Sequence, residues 1–212
     1  MLSGRRLDLL DPSPFDIEIE DIAHGLARVA RWNGQTEGEY AFTVAQHSVE
    51  VEGLCHDLQP GWDPAWRLAA LLHDAPEYVI GDLISPFKTA VGLDYKAFEA
   101  RLESAIHVRF GLPASLPRDV KALIKRADTV AAYFEATQLA GFSIEEAQSF
   151  FGEPRGLTRT LVPLPAKEAH SAFLARFHAL IAALDQSRSR AGEDLNGPTP
   201  DQARAWAKGT LL

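Results

Sequence analysis

Apolar positions along the 212-residue chain recur mostly with a helical period. Ile22, Leu26 and Val29 fall at i, i+4 and i+7 and predict a helix that stops near Asn33-Gly34. Val44, Val51, Leu54, Cys55 and Leu58 place a second helix over roughly Thr43 to Asp57, closed by Gln59-Pro60-Gly61-Trp62. Asp63-Pro64 reads as an N-cap followed by proline in the first turn, opening a third helix through Leu68, Leu71 and Leu72. Further helices are predicted over about 94 to 110, ended by Gly111, and from Pro117 to about Leu139. In the latter, Val120, Leu123, Ile124, Ala127, Ala131 and Phe134 supply the apolar stripe. Ser143 and Glu146 fit a capping box, and Phe173, Phe177, Leu180, Ile181 and Leu184 mark a last long helix over about 165 to 186. Only the start differs. Leu7-Asp8-Leu9 and Phe15-Asp16-Ile17-Glu18-Ile19 alternate apolar and polar around Asp11-Pro12-Ser13-Pro14, so a small N-terminal β-hairpin is expected. Residues 1–186 thus read as one mainly α-helical domain, and 187–212 as a polar linker with a short C-terminal helix between Thr199 and Gly209.

Composition narrows what such a domain can do. Acidic residues outnumber basic ones 29 to 21, a net charge of −8, which leaves no global basic field for nucleic-acid backbones or anionic membranes. The single Cys55 excludes an internal disulfide framework and any cysteine-based zinc cluster. No apolar run reaches the roughly 18 residues of a membrane span, and the first residues lack the apolar stretch of a signal peptide. A cytoplasmic protein with neither a membrane nor a long nucleic acid as partner is expected. The seven histidines then become the residues to follow, as metal ligands and proton carriers.

The strongest local signal is His73-Asp74, where an apolar helix runs into two adjacent residues that are costly to bury unless paired or coordinated. His56-Asp57 repeats the dipeptide without an acidic residue following it before Pro60-Gly61. His73-Asp74 gains weight from His47, in the middle of the second helix, and Asp128, in the middle of the helix after Pro117. Converged from three helices, these side chains are two imidazoles and two carboxylates, a set for one divalent ion with positions left open. Glu77 follows His73 by four residues and Asp74 by three, and Pro76 between them should kink or end the helix and aim Glu77 by a turn. Arg31 and Lys88 are candidates for the anionic part of a substrate, and Trp32 for an aromatic wall beside it.

The order His47, His73-Asp74, Asp128 resembles the signature of the HD-domain metal-dependent phosphohydrolases, an all-α fold. Arg31-Trp32 upstream, and Glu77 with Gly81-Asp82 downstream, extend the likeness. HDAPEYVIGDLISPFK (73–88) and IKRADTVAAYFEATQLA (124–140) are most similar to the bacterial 5′-deoxynucleotidase subgroup. The stretch from GRRLDLLDPSP through RWNGQT and VAQHSVEV resembles related short bacterial and phage HD hydrolases, which include dATP triphosphohydrolases. The resemblance implies an HD-domain helical bundle in which His47, His73, Asp74 and Asp128 hold one divalent metal ion (Mn, Co, Fe, Zn or Mg). It implies Glu77 and Asp82 as catalytic residues, and Arg31, Trp32 and Lys88 as substrate-binding ones, with Trp32 excluding a 2′-hydroxyl. The expected reaction is hydrolysis of deoxynucleoside 5′-monophosphates to deoxynucleoside and phosphate, by a homodimer. The nearest alternative is release of triphosphate from deoxynucleoside triphosphates; one of another class is a non-catalytic metal- or nucleotide-binding protein. Guanosine tetraphosphate hydrolysis fits less well, because Tyr78 stands where those enzymes need a second acid.

Overall fold

The computed structural model describes residues 1–83 and 93–195. Among them are eight α-helices: α1 (Ile19–Leu26), α2 (Val44–Leu58), α3 (Pro64–Leu71), α4 (Glu77–Ile80), α5 (Leu93–Arg109), α6 (Arg118–Gln138), α7 (Ile144–Phe151) and α8 (Ala166–Leu195). Their starts follow local chemistry. The Thr43 hydroxyl accepts from Gln46 N at the head of α2, and Asp63 caps α3 by accepting from Ala65 N. Ser143 and Glu146 close the expected capping box on α7, each side chain satisfying the other's backbone N–H. Among the described residues no helix is long and apolar enough to cross a membrane.

Helix α2 lies at the centre, packed against α6, α3 and α8, and α8 also covers α1 and α3. Val44, Ala45, Val51, Leu54 and Cys55 of α2 are buried together with Leu68 to Leu72, Phe173, Phe177 and the Val120–Ile124–Ala127–Ala131–Phe134 stripe of α6. Each large apolar side chain so buried stabilises the fold by about 1.5–3 kcal/mol. Because α2 is covered on several sides, its polar residues are buried too: His47 is 0% and Glu52 1% exposed. Both therefore need partners inside the protein.

The N-terminal hairpin is not formed. Among the described residues there is no strand, only an isolated antiparallel bridge between Ala30 and Thr43. Side chains bind the backbone of the first residues instead: Asp8 Oδ1 accepts from Leu10 N, and Asp21 accepts from both Ser3 N and Ser3 Oγ. Pro12 and Pro14 have no N–H to give a ladder, and Pro14–Asp16 forms a 3-10 turn behind Ser13. Two helix ends also move. α1 stops at Leu26, because the chain beyond it turns extended to bridge Ala30 to Thr43, with Arg31 N donating to Phe42 O. α8 continues through the polar residues after 186 to Leu195. The expected tail helix at Thr199–Gly209 lies outside the described residues, as does Lys88.

Candidate metal centre

Helix α3 ends at Leu71, and His73 and Asp74 occupy the turn that follows. Pro76 cannot continue a helical ladder, and bonds from Ala75 N to Leu72 O, Glu77 N to Asp74 O and Tyr78 N to Ala75 O carry the chain across it into α4. Gly25 lets α1 approach this turn closely, since a Cβ there would sit 2.6 Å from the Tyr78 carbonyl oxygen. Glu77 begins α4 and is 3% exposed.

The four expected ligands come together. His47 Nε2 lies 3.4 Å from Asp74 Oδ2 and 3.3 Å from Asp128 Oδ1, and His73 Nε2 lies 3.3 Å from Asp74 Oδ2. Ligand atoms of His47, His73 and Asp128 all fall within 4.8 Å of one another. The hydrogen bonds at the far ring nitrogens fix the tautomers. His47 Nδ1–H donates to Glu135 Oε1 at 2.6 Å, and His73 Nδ1–H donates to the Ala70 carbonyl at 2.8 Å. Both Nε2 atoms are left buried without a hydrogen-bond partner, facing carboxylates. A neutral Nε2 facing a carboxylate repels it unless positive charge stands between them, supplied either by a proton on the imidazole or by a cation, which His47, His73 and Asp128 could hold together.

The electrostatics agree. Burial and Arg31 disfavour a charged His47, yet Glu135, Asp128 and Asp74 outweigh both and hold its pKa well above the usual imidazole value. Burial likewise opposes ionisation of Asp74 and Asp128, but the neighbouring imidazoles keep both carboxyls well below their ordinary range. With no cation bound, that positive charge is the proton on His47, which a divalent ion would displace on binding.

Arg31 and Trp32 adjoin this cluster through a residue that the sequence reading missed. Glu135 is buried on α6, where its Oε2 accepts from Arg31 Nε at 3.2 Å and from Trp32 Nε1 at 2.8 Å. Burial opposes its ionisation, but His47 and Arg31 bring its pKa down to about 2. The available signal was spacing: Glu135 lies seven residues after Asp128, two turns on along the same face, in the apolar run Ala131 to Ala136. Arg31 Nη1 also pairs with Asp82 Oδ2 at 3.0 Å, so Asp82 stands beside Arg31. Trp32 and Asn33 have φ of 55° and 52°, a left-handed backbone that costs each non-glycine residue about 1–3 kcal/mol. The Glu135 bond and the edges of Phe142 and Phe151 against the Trp32 ring hold it there.

A cavity of about 180 Å³ opens on the cluster, lined by His73, Asp128, Glu103, Leu116, Ile124, Lys121 and Lys125. Lys125 Nζ sits 2.7 Å from Asp128 Oδ2. The second His-Asp pair plays no part here, since Asp57 is bound to Arg159 at 2.6 Å.

Among the described residues, fold and site define a predominantly helical protein with a partly buried His–Asp cluster that could hold a metal ion. No family model matches the chain. It is 60% identical over 189 residues to the uncharacterized protein RCAP_rcc00048 of Rhodobacter capsulatus, covering 87% of this chain and 95% of that protein. It is 31% identical over 169 residues to the uncharacterized protein YfdR of Escherichia coli K12, covering 78% and 85%. The chain belongs to the family of these two bacterial proteins.

Proposed function

We propose that this protein is a divalent-metal-dependent phosphohydrolase that cleaves deoxynucleoside 5′-monophosphates to deoxynucleoside and phosphate. The observation that carries the reading is the pair of buried Nε2 atoms set against Asp74 and Asp128, with His73 and Asp128 reaching the wall of a cavity. His47, His73, Asp74 and Asp128 would hold the ion. When bound there, a divalent ion neutralises phosphate charge and makes a water molecule a stronger nucleophile. Arg31, fixed by Asp82 and Glu135, orients the phosphoryl oxygens. Glu77, buried at the head of α4, positions the attacking water and takes its proton. Asp82 accepts from Arg31, which suits holding that arginine and the sugar, and the departing O5′ takes its proton from a water molecule in the open site. Trp32, held by Glu135 beside Arg31, walls the sugar and selects against a 2′-hydroxyl.

The two lysines on the cavity wall favour a second reading, in which the same bond is cut in a deoxynucleoside triphosphate and triphosphate leaves. One panel separates the readings: ribo- and deoxynucleoside mono- and triphosphates, each with Mn²⁺, Co²⁺, Zn²⁺ or Mg²⁺. Metal-dependent phosphate release from the deoxy monophosphates is expected. Triphosphate release from dATP in its place establishes the second reading. No turnover of any nucleotide with any ion overturns both and leaves a non-catalytic metal- or nucleotide-binding protein.

A further inference from the structure

His47 comes from α2 and Arg31 and Trp32 from the turn before it, yet all three donate to one carboxylate. Glu135 Oε1 takes the His47 Nδ1–H, and Oε2 takes Arg31 Nε–H and Trp32 Nε1–H. With the side chain 1% exposed, water does not compete for these bonds. The two oxygens therefore serve two sides of the site. Oε1 fixes the His47 tautomer, and so aims the Nε2 lone pair at Asp74 and Asp128. Oε2 holds the side chains of a segment whose backbone at Trp32 and Asn33 is in the left-handed region.

We propose that Glu135 is a positioning residue that couples divalent-ion binding to the placement of Arg31 and Trp32. The inference rests on the metal-centre reading of His47 and not on which substrate is cleaved. A carboxylate can serve both sides because both its oxygens accept. An amide cannot, since its nitrogen would face either the His47 N–H or the two donors of the Arg31–Trp32 segment.

The test uses Zn²⁺, which is spectroscopically silent, and needs no substrate. Calorimetric titration gives Zn²⁺ affinity for the wild type, Glu135→Ala and Glu135→Gln. Trp32 emission is isolated as the difference between each protein and its Trp32→Phe counterpart, before and after saturation with Zn²⁺. In the wild type Zn²⁺ changes the Trp32 emission. Glu135→Ala weakens Zn²⁺ binding by about 10–100-fold and abolishes that response at saturation. Glu135→Gln, close in shape to the native residue, loses affinity, response or both. A residue that only stabilised the fold would lower the melting temperature and leave affinity and response as they were, which overturns the proposal. If Glu135→Ala does not fold, Glu135→Gln decides alone, and native values for both properties overturn the coupling. Failure of the wild type to bind Zn²⁺, Mn²⁺ or Co²⁺ instead removes the metal centre itself.

Discussion

Two buried glutamates, Glu52 and Glu135, solve the same problem with different consequences. Glu52, on α2, accepts from Arg67 Nε at 2.6 Å and from Arg176 Nε and Nη2 at 2.6 and 2.8 Å, tying α2 to α3 and α8. Two partly exposed guanidiniums enclose one buried carboxylate, and the surplus positive charge is left to solvent. Glu135 is matched by Arg31, Trp32 and His47, but His47 carries its other nitrogen onward to Asp74 and Asp128. Carboxylates then outnumber fixed cations, and two ring nitrogens remain unpaired. The same currency of buried charge makes a clamp in one place and a ligand set in the other. What separates a site from a strut is the unspent donor.

The contrast breaks most sharply at the cluster. Asp128→Asn should cut metal-dependent activity by about 10³-fold or more, the few kcal/mol that Lewis-acid assistance supplies. Glu52→Gln should leave ion affinity unchanged; a shift comparable to that of Asp128→Asn would mean that the two regions are one network. At the clamp the large effect falls on stability. Glu52→Ala leaves Arg67 and Arg176 without their shared partner and should destabilise the fold by about 3–5 kcal/mol in denaturant unfolding. A loss under about 1 kcal/mol would show that the pair is solvated.

A third buried group sharpens the comparison from the opposite side. His107, 1% exposed, has no such acid clamp, with Glu103 at 4.0 Å, and burial pushes its pKa down to about 4 despite the Ala114 carbonyl. It stays neutral in the folded chain while the unfolded chain takes up the proton. Its contribution to stability is therefore complete above about pH 6.5 and is lost as the pH falls toward 4. His107→Gln should flatten the pH dependence of stability in that window by about 2–3 kcal/mol, read from unfolding curves at pH 7, 5.5 and 4. Equal slopes for variant and wild type would refute the assignment.

Legibility in the sequence followed the range of the interaction. Helices α2, α3, α5 and α6, and the start of α7, were readable to within a residue or two, because caps such as Thr43, Asp63 and Ser143 and the 3.6-residue stripe of α6 act over one or two turns. His73 and Asp74 could be singled out because ionisable residues at the end of an apolar run demand an explanation, and His47 and Asp128 joined them through the order His47, His73-Asp74, Asp128 that resembles the HD-domain signature. The N-terminal pattern misled. Alternation of apolar and polar residues predicts a strand only if a partner edge exists, and here Asp8 caps its own turn at Leu10 N while Pro14–Asp16 winds into a 3-10 turn behind Ser13.

The chain by itself determined a predominantly helical architecture among the described residues and named the side chains that could hold a cation. Only tertiary structure decided that Glu135, on α6, would meet His47 from α2 and Arg31 and Trp32 from the turn before it. That meeting is a matter of how three segments cross. Periodicity reports which face of a helix is buried, whereas the partner of a buried charge is chosen by packing between elements far apart in sequence. Glu135 and His47 are separated by 88 residues and 2.6 Å.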